Sequence, residues 1–451
     1  MLAPTGEFDC SQTMTLRFGT DGVRGPASEF SDALVRALGA AAAQVLGTST
    51  FVIGRDTRES GERLERALAA GLTSAGAQPL SMGIVPTPAV AWICANRDVP
   101  GAVISASHNP WTDNGIKFFA RGGRKLSDER EAALEAALDE LVAAGVNEQS
   151  TIEPATDADA VAEWCDAVVA SAVSVSPMRI IIDCANGAAS SVAPEIFRRL
   201  GLDVTVLHAQ PDGRNINDSC GSTHPEDLQR AVVANGAALG LAFDGDADRL
   251  LAVDERGELI DGDQLIALFA RDLRDRGELA GDRVVVTVMS NLGFRLAMDE
   301  QGIEVIETPV GDRHVLEALA RTSSSLGGEQ SGHIVFADRA TTGDGVLSGV
   351  QLVDLVSRAQ VPLSVLSDDV MDRLPQVLRN VRLEDRRDDI AEVIADQIEA
   401  VEKNLGERGR VLIRLSGTEP LVRVMVEAPT LEQAEAAADN LAAAVIEACS
   451  A

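Results

Sequence analysis

The stretch "MRIIIDCANGAASSVAPEIFRRLGLDVTVLH" (Met178–His208) decides how the rest of the chain is read. A continuous Ile run breaks at Asn186-Gly187, a helical segment follows, and a second apolar run begins at Leu202. Strands covered on both faces are apolar throughout rather than alternating, and two of them joined through a helix make a β-α-β unit. The same rhythm recurs on either side. "TFVIGRDTRES" (50–60) breaks at Gly54 and leads into the helical "GERLERALAAGLTSAG" (61–76). "DRVVVTVMSN" (282–291) is followed by the helical "LGFRLAMDEQG" (292–302) and the strand "IEVIETPV" (303–310). Units of one design roughly a hundred residues apart predict three related α/β domains, with polar functional loops at the C-terminal ends of the strands.

The tail is different. A strand-like "LPQVLRNVRL" (374–383) leads to a single expected helix, "DDIAEVIADQIEAVEKNLG" (388–406). Two strand runs then flank "RLSGTEP" (414–420), and an Ala-rich helix starts at Leu431, which predicts a smaller α+β domain. The expected organisation is an N-terminal extension (1–14), α/β domains at 15–155, 156–258 and 259–370, and the α+β domain at 371–451. Linkers are expected near 150–157, 256–262 and 360–372.

Composition bounds the function. Apolar residues make up 45% of the 451, but aromatics only 3% and tyrosine none, so the cores must be built from Ala, Val, Leu and Ile. A net charge of −31 disfavours nucleic acid and anionic membranes as partners, because both need basic patches. A small anionic substrate would need a local island of cations. Lys117, Lys125 and Lys403 are the only lysines among 39 cationic residues, so a lysine within a functional stretch suggests a need that arginine cannot meet. Cys10, Cys94, Cys165, Cys184, Cys220 and Cys449 are scattered, with no Cys-x-x-Cys and no histidine at zinc spacing, and read as reduced, mostly buried thiols. "MLAPTGEFDCSQTMT" has neither the basic start nor the apolar core of a signal peptide, and no apolar run reaches membrane-spanning length, so a cytoplasmic location is expected.

The metal candidate is "LGLAFDGDADRLLAVD", where Asp244, Asp246 and Asp248 alternate just after an apolar strand. In an extended loop they face one side, and three converging carboxylates call for a hard divalent cation, most simply Mg²⁺. An EF-hand is rejected, because its sixth position is Arg249 where glycine is required and the loop leaves a strand. An aspartyl phosphatase, with Asp244 attacking phosphorus, stays open. "RLSGTEPLVR" places Ser416, Gly417 and Thr418 between Arg414 and Arg423, a phosphate cradle by composition. "FGTDGVRG" (18–25) offers glycines and Arg24 for close approach to a ligand. In "LGGEQSGHIVF", Glu329, Ser331 and His333 alternate, as acceptors for a polyol and a candidate acid or base.

"ISASHNPWTDNGIKFF" (104–119) sets Ser107 beside His108. Adjacent side chains in an extended segment point apart, and no G-x-S-x-G elbow is present, so a hydrolytic Ser–His pair is disfavoured. Ser107 on a Pro110-stiffened loop, in a chain with an Asp₃ site and a phosphate cradle, reads instead as a phosphoryl carrier.

Taken in order, "FGTDGVRG", "SASHNP", "DGDADR", "GEQSGH" and "RLSGTEP" resemble the α-D-phosphohexomutase family over nearly the whole chain. The spelling is most similar to bacterial members that act on glucosamine phosphate. The resemblance implies three related α/β domains with mixed sheets and a smaller C-terminal α+β domain around a central active-site cleft. It implies a phosphorylated Ser107, and one Mg²⁺ per subunit on Asp244, Asp246, Asp248 and the phosphoserine oxygen. Arg24, His108, Lys117, Arg249 and His333 would line the reaction centre, with Lys117 and His333 both candidates for the proton-transfer role. Glu329 and Ser331 would contact sugar hydroxyls. Arg414, Ser416, Gly417, Thr418 and Arg423 would hold the phosphate that is not transferred. A small phosphosugar would be the substrate, a glucosamine 1,6-bisphosphate the intermediate and activator, and the protein a monomer or homodimer. Leu415, Pro309 and His314 depart from the family spelling, in the phosphate loop and the third domain.

Overall fold

A computed structural model of the chain describes residues 18–19, 22–145, 152–383, 389–415 and 421–450. The expected N-terminal extension, and Ser416, Gly417 and Thr418 of the phosphate cradle, lie outside the described residues. The chain divides into two compact units. One runs up to Leu259 and takes in His333–Gln360; the other comprises Ile260–Gly332 and the chain from Val361 onward.

In the first unit, one sheet has seven strands. In spatial order they are Phe18–Gly19, Gly22–Pro26, Asp113–Phe119, Gly101–Ile104, Thr50–Arg55, Gln78–Ile84 and Ala155–Thr156. Thr50–Arg55 runs parallel to Gln78–Ile84, because the helix Gly61–Ser74 carries the chain back across the sheet. The link from Ile104 to Asp113 is too short for such a crossover, so Asp113–Phe119 returns antiparallel to Gly101–Ile104. The edge strand Ala155–Thr156, parallel to Gln78–Ile84, falls in a segment expected as linker. Alanines 37 and 40–43 are buried along the helix Asp32–Leu46, which lets helices pack closely in a core with few aromatics.

The second sheet sets Leu250–Asp254, Leu239–Phe243, Arg179–Asp183 and Asp203–Leu207 side by side. Leu239–Phe243 is parallel to Arg179–Asp183 and antiparallel to Leu250–Asp254. The opening β-α-β stretch is thus strand Arg179–Asp183, helix Ala193–Arg199 and strand Asp203–Leu207. The sheets of both regions are mixed. In each, the antiparallel return produces a short loop, 105–112 in one and 244–249 in the other, directly after a buried strand.

In the second unit, Arg283–Thr287 lies between Glu304–Thr308 and Leu326–Gly328, parallel to both. The C-terminal sheet is antiparallel, with Leu421–Glu427 between Gln376–Arg382 and Arg410–Leu415. The closing helix Leu431–Ser450 buries Ala434, Ala438, Leu441 and Val445 in a core with Val422, Val424 and Val426. The single helix expected over 388–406 is instead two, Ile390–Val393 and Ala395–Leu405. The break falls at Ile394, which is fully buried and leaves helical dihedrals (φ −103°, ψ 20°); the β-branched pair Val393-Ile394 weakens the helix there.

Candidate active site

Ser107 stands on the loop between strands Gly101–Ile104 and Asp113–Phe119. Its φ of +50° lies in the left-handed region, unusual for serine. Its Oγ donates to Asp244 Oδ2 at 2.5 Å, and the residue is buried. The expectation that Ser107 and His108 point apart fails, because Ser107 is not extended: Ser107 Oγ and His108 Nδ1 lie 3.5 Å apart. Burial, and then the charges of Arg249 and Arg24, push the His108 imidazole down to about 4, so it is neutral near pH 7. It offers a neutral contact rather than a charge.

The three aspartates do converge: one oxygen of each lies within 4.8 Å of the others. They do so on a turn, not an extended loop. Ala247 N–H donates to Asp244 C=O (3.1 Å), and Ala247 sits at φ +55°. Gly245 lets this turn rest on the serine loop, since a Cβ there would lie 2.5 Å from the Ser107 carbonyl oxygen. Lys117, 4% exposed, puts Nζ 2.9 Å from Asp246 Oδ2 and 3.8 Å from Asp248 Oδ2. Burial opposes the Asp246 charge, but Lys117 and a hydrogen bond from Thr87 Oγ1 (2.6 Å) outweigh it and hold that carboxyl well below its ordinary range. Asp244 moves the opposite way, raised by burial and by Asp248 and Asp246. Asp246 Oδ1 and Asp248 Oδ1 are buried and accept no hydrogen bond from the described residues, the arrangement expected of oxygens left for a cation.

Arg249 Nε lies 3.8 Å from Asp248 Oδ1, and the Arg249 N–H donates to Asp244 Oδ1 (3.3 Å). His333, buried, accepts from Gly343 N–H through Nε2 (3.2 Å) and lies near Asp248. Arg24, on the strand Gly22–Pro26, acts electrostatically on both His108 and Asp246. Ser107, His108, Lys117, Arg24, Arg249, His333 and the three aspartates therefore form one neighbourhood within the first unit.

The remaining predicted residues lie in the second unit. Glu329 and Ser331 belong to a turn closed by Gly332 N–H on Glu329 C=O (3.0 Å), not to an extended alternation. Glu329 Oε1 accepts from Gly311 N–H (3.1 Å), and Ser331 is exposed. Arg414 and Arg423 are cross-strand partners that flank 416–420. Burial and the Arg423 charge lower the Arg414 pKa, as expected of two cations set opposite one another.

Sequence spacing did not single out Thr87, which opens the helix Thr87–Asn96, or Asp56, Arg58 and Asn217, which reach the site from other loops. It also did not anticipate that Asp183, His208 and Cys220 come together. Asp183 there accepts from Ala185 N–H (2.9 Å) and Gly221 N–H (3.0 Å) and pairs with His208 Nδ1 (2.9 Å). Its carboxylate is satisfied, and burial together with Asp183 pushes the Cys220 thiol up to about 12. The cluster closes a strand-end turn.

A serine hydroxyl on the first of three converging carboxylates, with a buried lysine against the second, belongs with phosphoryl-transfer chemistry, and the chain belongs to the phosphoglucomutase/phosphomannomutase family. Models of that family's alpha/beta/alpha domains I, II and III match residues 15–144, 158–257 and 261–374, and its C-terminal domain matches 378–444. The chain is 50% identical over 444 residues to the phosphoglucosamine mutase of Rhodococcus opacus, covering 95% of this chain and 98% of that protein. It is also 50% identical over 440 residues to that of Thermobifida fusca, with the same coverage. Among solved structures it is similar to a phosphoglucomutase/phosphomannomutase family protein from Burkholderia thailandensis (TM-score 0.80, 26% identity, 97% of this chain and 98% of that one). It shares its fold with Aspergillus fumigatus N-acetylphosphoglucosamine mutase, solved with GlcNAc-6P and magnesium (TM-score 0.68, 20% identity, 98% and 97% coverage).

Proposed function

We propose that the chain is a phosphoglucosamine mutase, interconverting glucosamine 6-phosphate and glucosamine 1-phosphate through phosphorylated Ser107 and a 1,6-bisphosphate. It would supply UDP-N-acetylglucosamine and cell-wall synthesis from the cytoplasm. The observation that carries this reading is the Ser107 hydroxyl set 2.5 Å from Asp244 at the head of the aspartate triad. Asp246 Oδ1 and Asp248 Oδ1, buried and accepting no hydrogen bond from the described residues, would with Asp244 and a phosphoserine oxygen hold one Mg²⁺. When bound, such an ion would draw charge from the phosphoryl group.

The chain's own residues do the rest. The free hydroxyl of the sugar attacks phosphorus, the bond from phosphorus to Ser107 Oγ breaks, and the serine oxygen takes up a proton, the one the sugar hydroxyl loses being returned by way of the base, to become the hydroxyl that donates to Asp244. The hydroxyl proton passes to a base, for which Lys117 and His333 are the two candidates beside the triad. After the bisphosphate turns over, the same steps run in reverse and return a phosphoryl group to Ser107. Arg24 and Arg249 place positive charge near the moving group. Arg414 and Arg423, with Ser416, Gly417 and Thr418, hold the other phosphate; Glu329 and Ser331 take the sugar hydroxyls.

Ser107→Ala is expected to abolish isomerisation and to lose an enzyme species about 80 Da heavier by intact mass. Full activity in that variant overturns the scheme. A panel of glucosamine, glucose and mannose phosphates separates this reading from a sister activity in the family. Release of phosphate without isomerisation would instead favour attack by Asp244, which has less support because that carboxyl is fully buried and taken by Ser107.

A further inference from the structure

A left-handed backbone at a serine costs about 1–3 kcal/mol and persists only where the surroundings impose it. At Ser107 they converge on Arg58, which sits between the strand Thr50–Arg55 and the helix Gly61–Ser74 and is 2% exposed. A guanidinium has five N–H donors in a fixed fork, and here all are used. Nε donates to Asp56 Oδ2 (2.8 Å). Nη2 donates to the carbonyls of Ser107 (2.9 Å) and Asn109 (2.8 Å), and Nη1 to those of Asp113 (3.0 Å) and Pro110. Asp56 also accepts from Ser105 Oγ (2.7 Å), which in turn accepts the Ser107 N–H (2.9 Å). One buried relay therefore grips Ser107 at both its N–H and its C=O. Asn217 Nδ2 adds a second donor to the same Ser107 and Asn109 carbonyls (2.9 and 3.1 Å).

Removing a guanidinium from water is costly and is repaid only by complete pairing. Three of the five bonds here go to backbone carbonyls of one short loop and a fourth to Asp113, where the next strand begins, and that loop's conformation sets the direction of a single hydroxyl. We infer that Arg58 is a positioning residue for phosphoryl transfer: it fixes where Ser107 Oγ stands against Asp244 and keeps the loop from opening to water between half-reactions. This rests on the reading of Ser107 as phosphoryl carrier. Lysine, with three donors and no fork, cannot replace it.

The test compares wild type, Arg58→Lys, Arg58→Ala and Asn217→Ala, with Ser107→Ala as control, using glucosamine 6-phosphate and glucose 1,6-bisphosphate as priming phosphoryl donor. Folding is checked by circular dichroism and melting. Misplacement predicts kcat down by about 100-fold or more in both Arg58 variants, KM within about 3-fold, and a smaller kcat loss in Asn217→Ala. It also predicts that phosphate released per isomerisation rises in step, with faster loss of the ~80 Da species. A loop that merely supports the fold would lower melting without changing that partition. Folded Arg58 variants with kcat within about 3-fold of wild type and an unchanged release ratio overturn the inference. If the Arg58 variants do not fold, Asn217→Ala decides: wild-type kcat and release ratio overturn it, and a kcat loss with raised release supports it. Activity retained in Ser107→Ala would instead sink the carrier reading, so the two failures are told apart.

Discussion

At the scale of single residues, the site depends on groups whose size matters as much as their charge. Lys117 is buried with its ammonium shared between Asp246 and Asp248, while nearly every other cation in the chain is arginine. Lys117→Arg keeps the charge but forces a planar fork into a space shaped for a point donor. It is expected to lower kcat by more than about 100-fold, read in a coupled mutase assay. Near-normal turnover would show that charge alone suffices. Gly245→Ala makes the complementary test. Its Cβ would meet the Ser107 carbonyl at 2.5 Å and Asn217 Nδ2 at 2.8 Å, so activity should collapse while urea unfolding shows a loss of about 1–3 kcal/mol. Ser107, Lys117 and the three aspartates were legible in the sequence because their types and spacing are chemically unusual. Arg58, Asp56 and Asn217 were not, since each looks like an ordinary polar loop residue until folding brings it to the serine.

At the scale of elements, the two loops that meet at the candidate site are antiparallel returns. That makes them short, and it makes them turns. Extended alternation therefore put the aspartates together correctly but for the wrong geometric reason, and it misjudged Ser107 and His108 altogether. The helix Gly262–Asp275 shows what else pattern reading leaves out. Asp261 caps it, with Gln264 completing a capping box. The next acid, Asp263, is fully buried beneath Asn291 N–H (2.8 Å), and burial and then Asp261 push its carboxyl up to about 7. A carboxyl raised in the folded state withdraws stability as pH climbs from its ordinary value towards that raised one. Asp263→Asn is therefore expected to gain stability over wild type between pH ~4 and ~7, by an amount on the order of 4 kcal/mol, with no further change above. Urea unfolding across that range checks it, and a pH-independent difference would refute it.

At the scale of the whole molecule, the second unit joins its α/β region to the C-terminal sheet through one buried acid. Glu427 accepts from Arg410 Nε (2.8 Å), Gln376 Nε2 (2.8 Å), the Leu292 N–H (3.0 Å) and Asn291 Nδ2 (3.3 Å). Arg410 in turn donates to the carbonyls of Val288 and Ser290. Its side chain is 12% exposed and that of Glu427 0%. Arg410→Ala would leave the acid buried without its cation, at a cost of about 3–5 kcal/mol in urea unfolding. Adding Glu427→Gln should recover part of that loss, and a double variant no better than the single one would count against the pairing. The net charge of −31 makes the cross-strand Arg414–Arg423 pair the more telling, because those cations stand close together in a chain whose excess is acid.

The sequence by itself determined the α/β regions with their smaller α+β tail and the convergence of Asp244, Asp246 and Asp248, and it singled out Ser107 as the candidate carrier. Those follow from hydrophobic period and from residue types clustered within a few positions, which are local properties. Only the tertiary structure decided that Ser107 is left-handed, that His108 lies within reach of it, and that Lys117 pairs with Asp246 across 129 positions of chain. It alone brought Arg58 beneath the serine loop. These depend on strand register and on the direction of each chain return, which hydrophobic pattern leaves open and close packing settles.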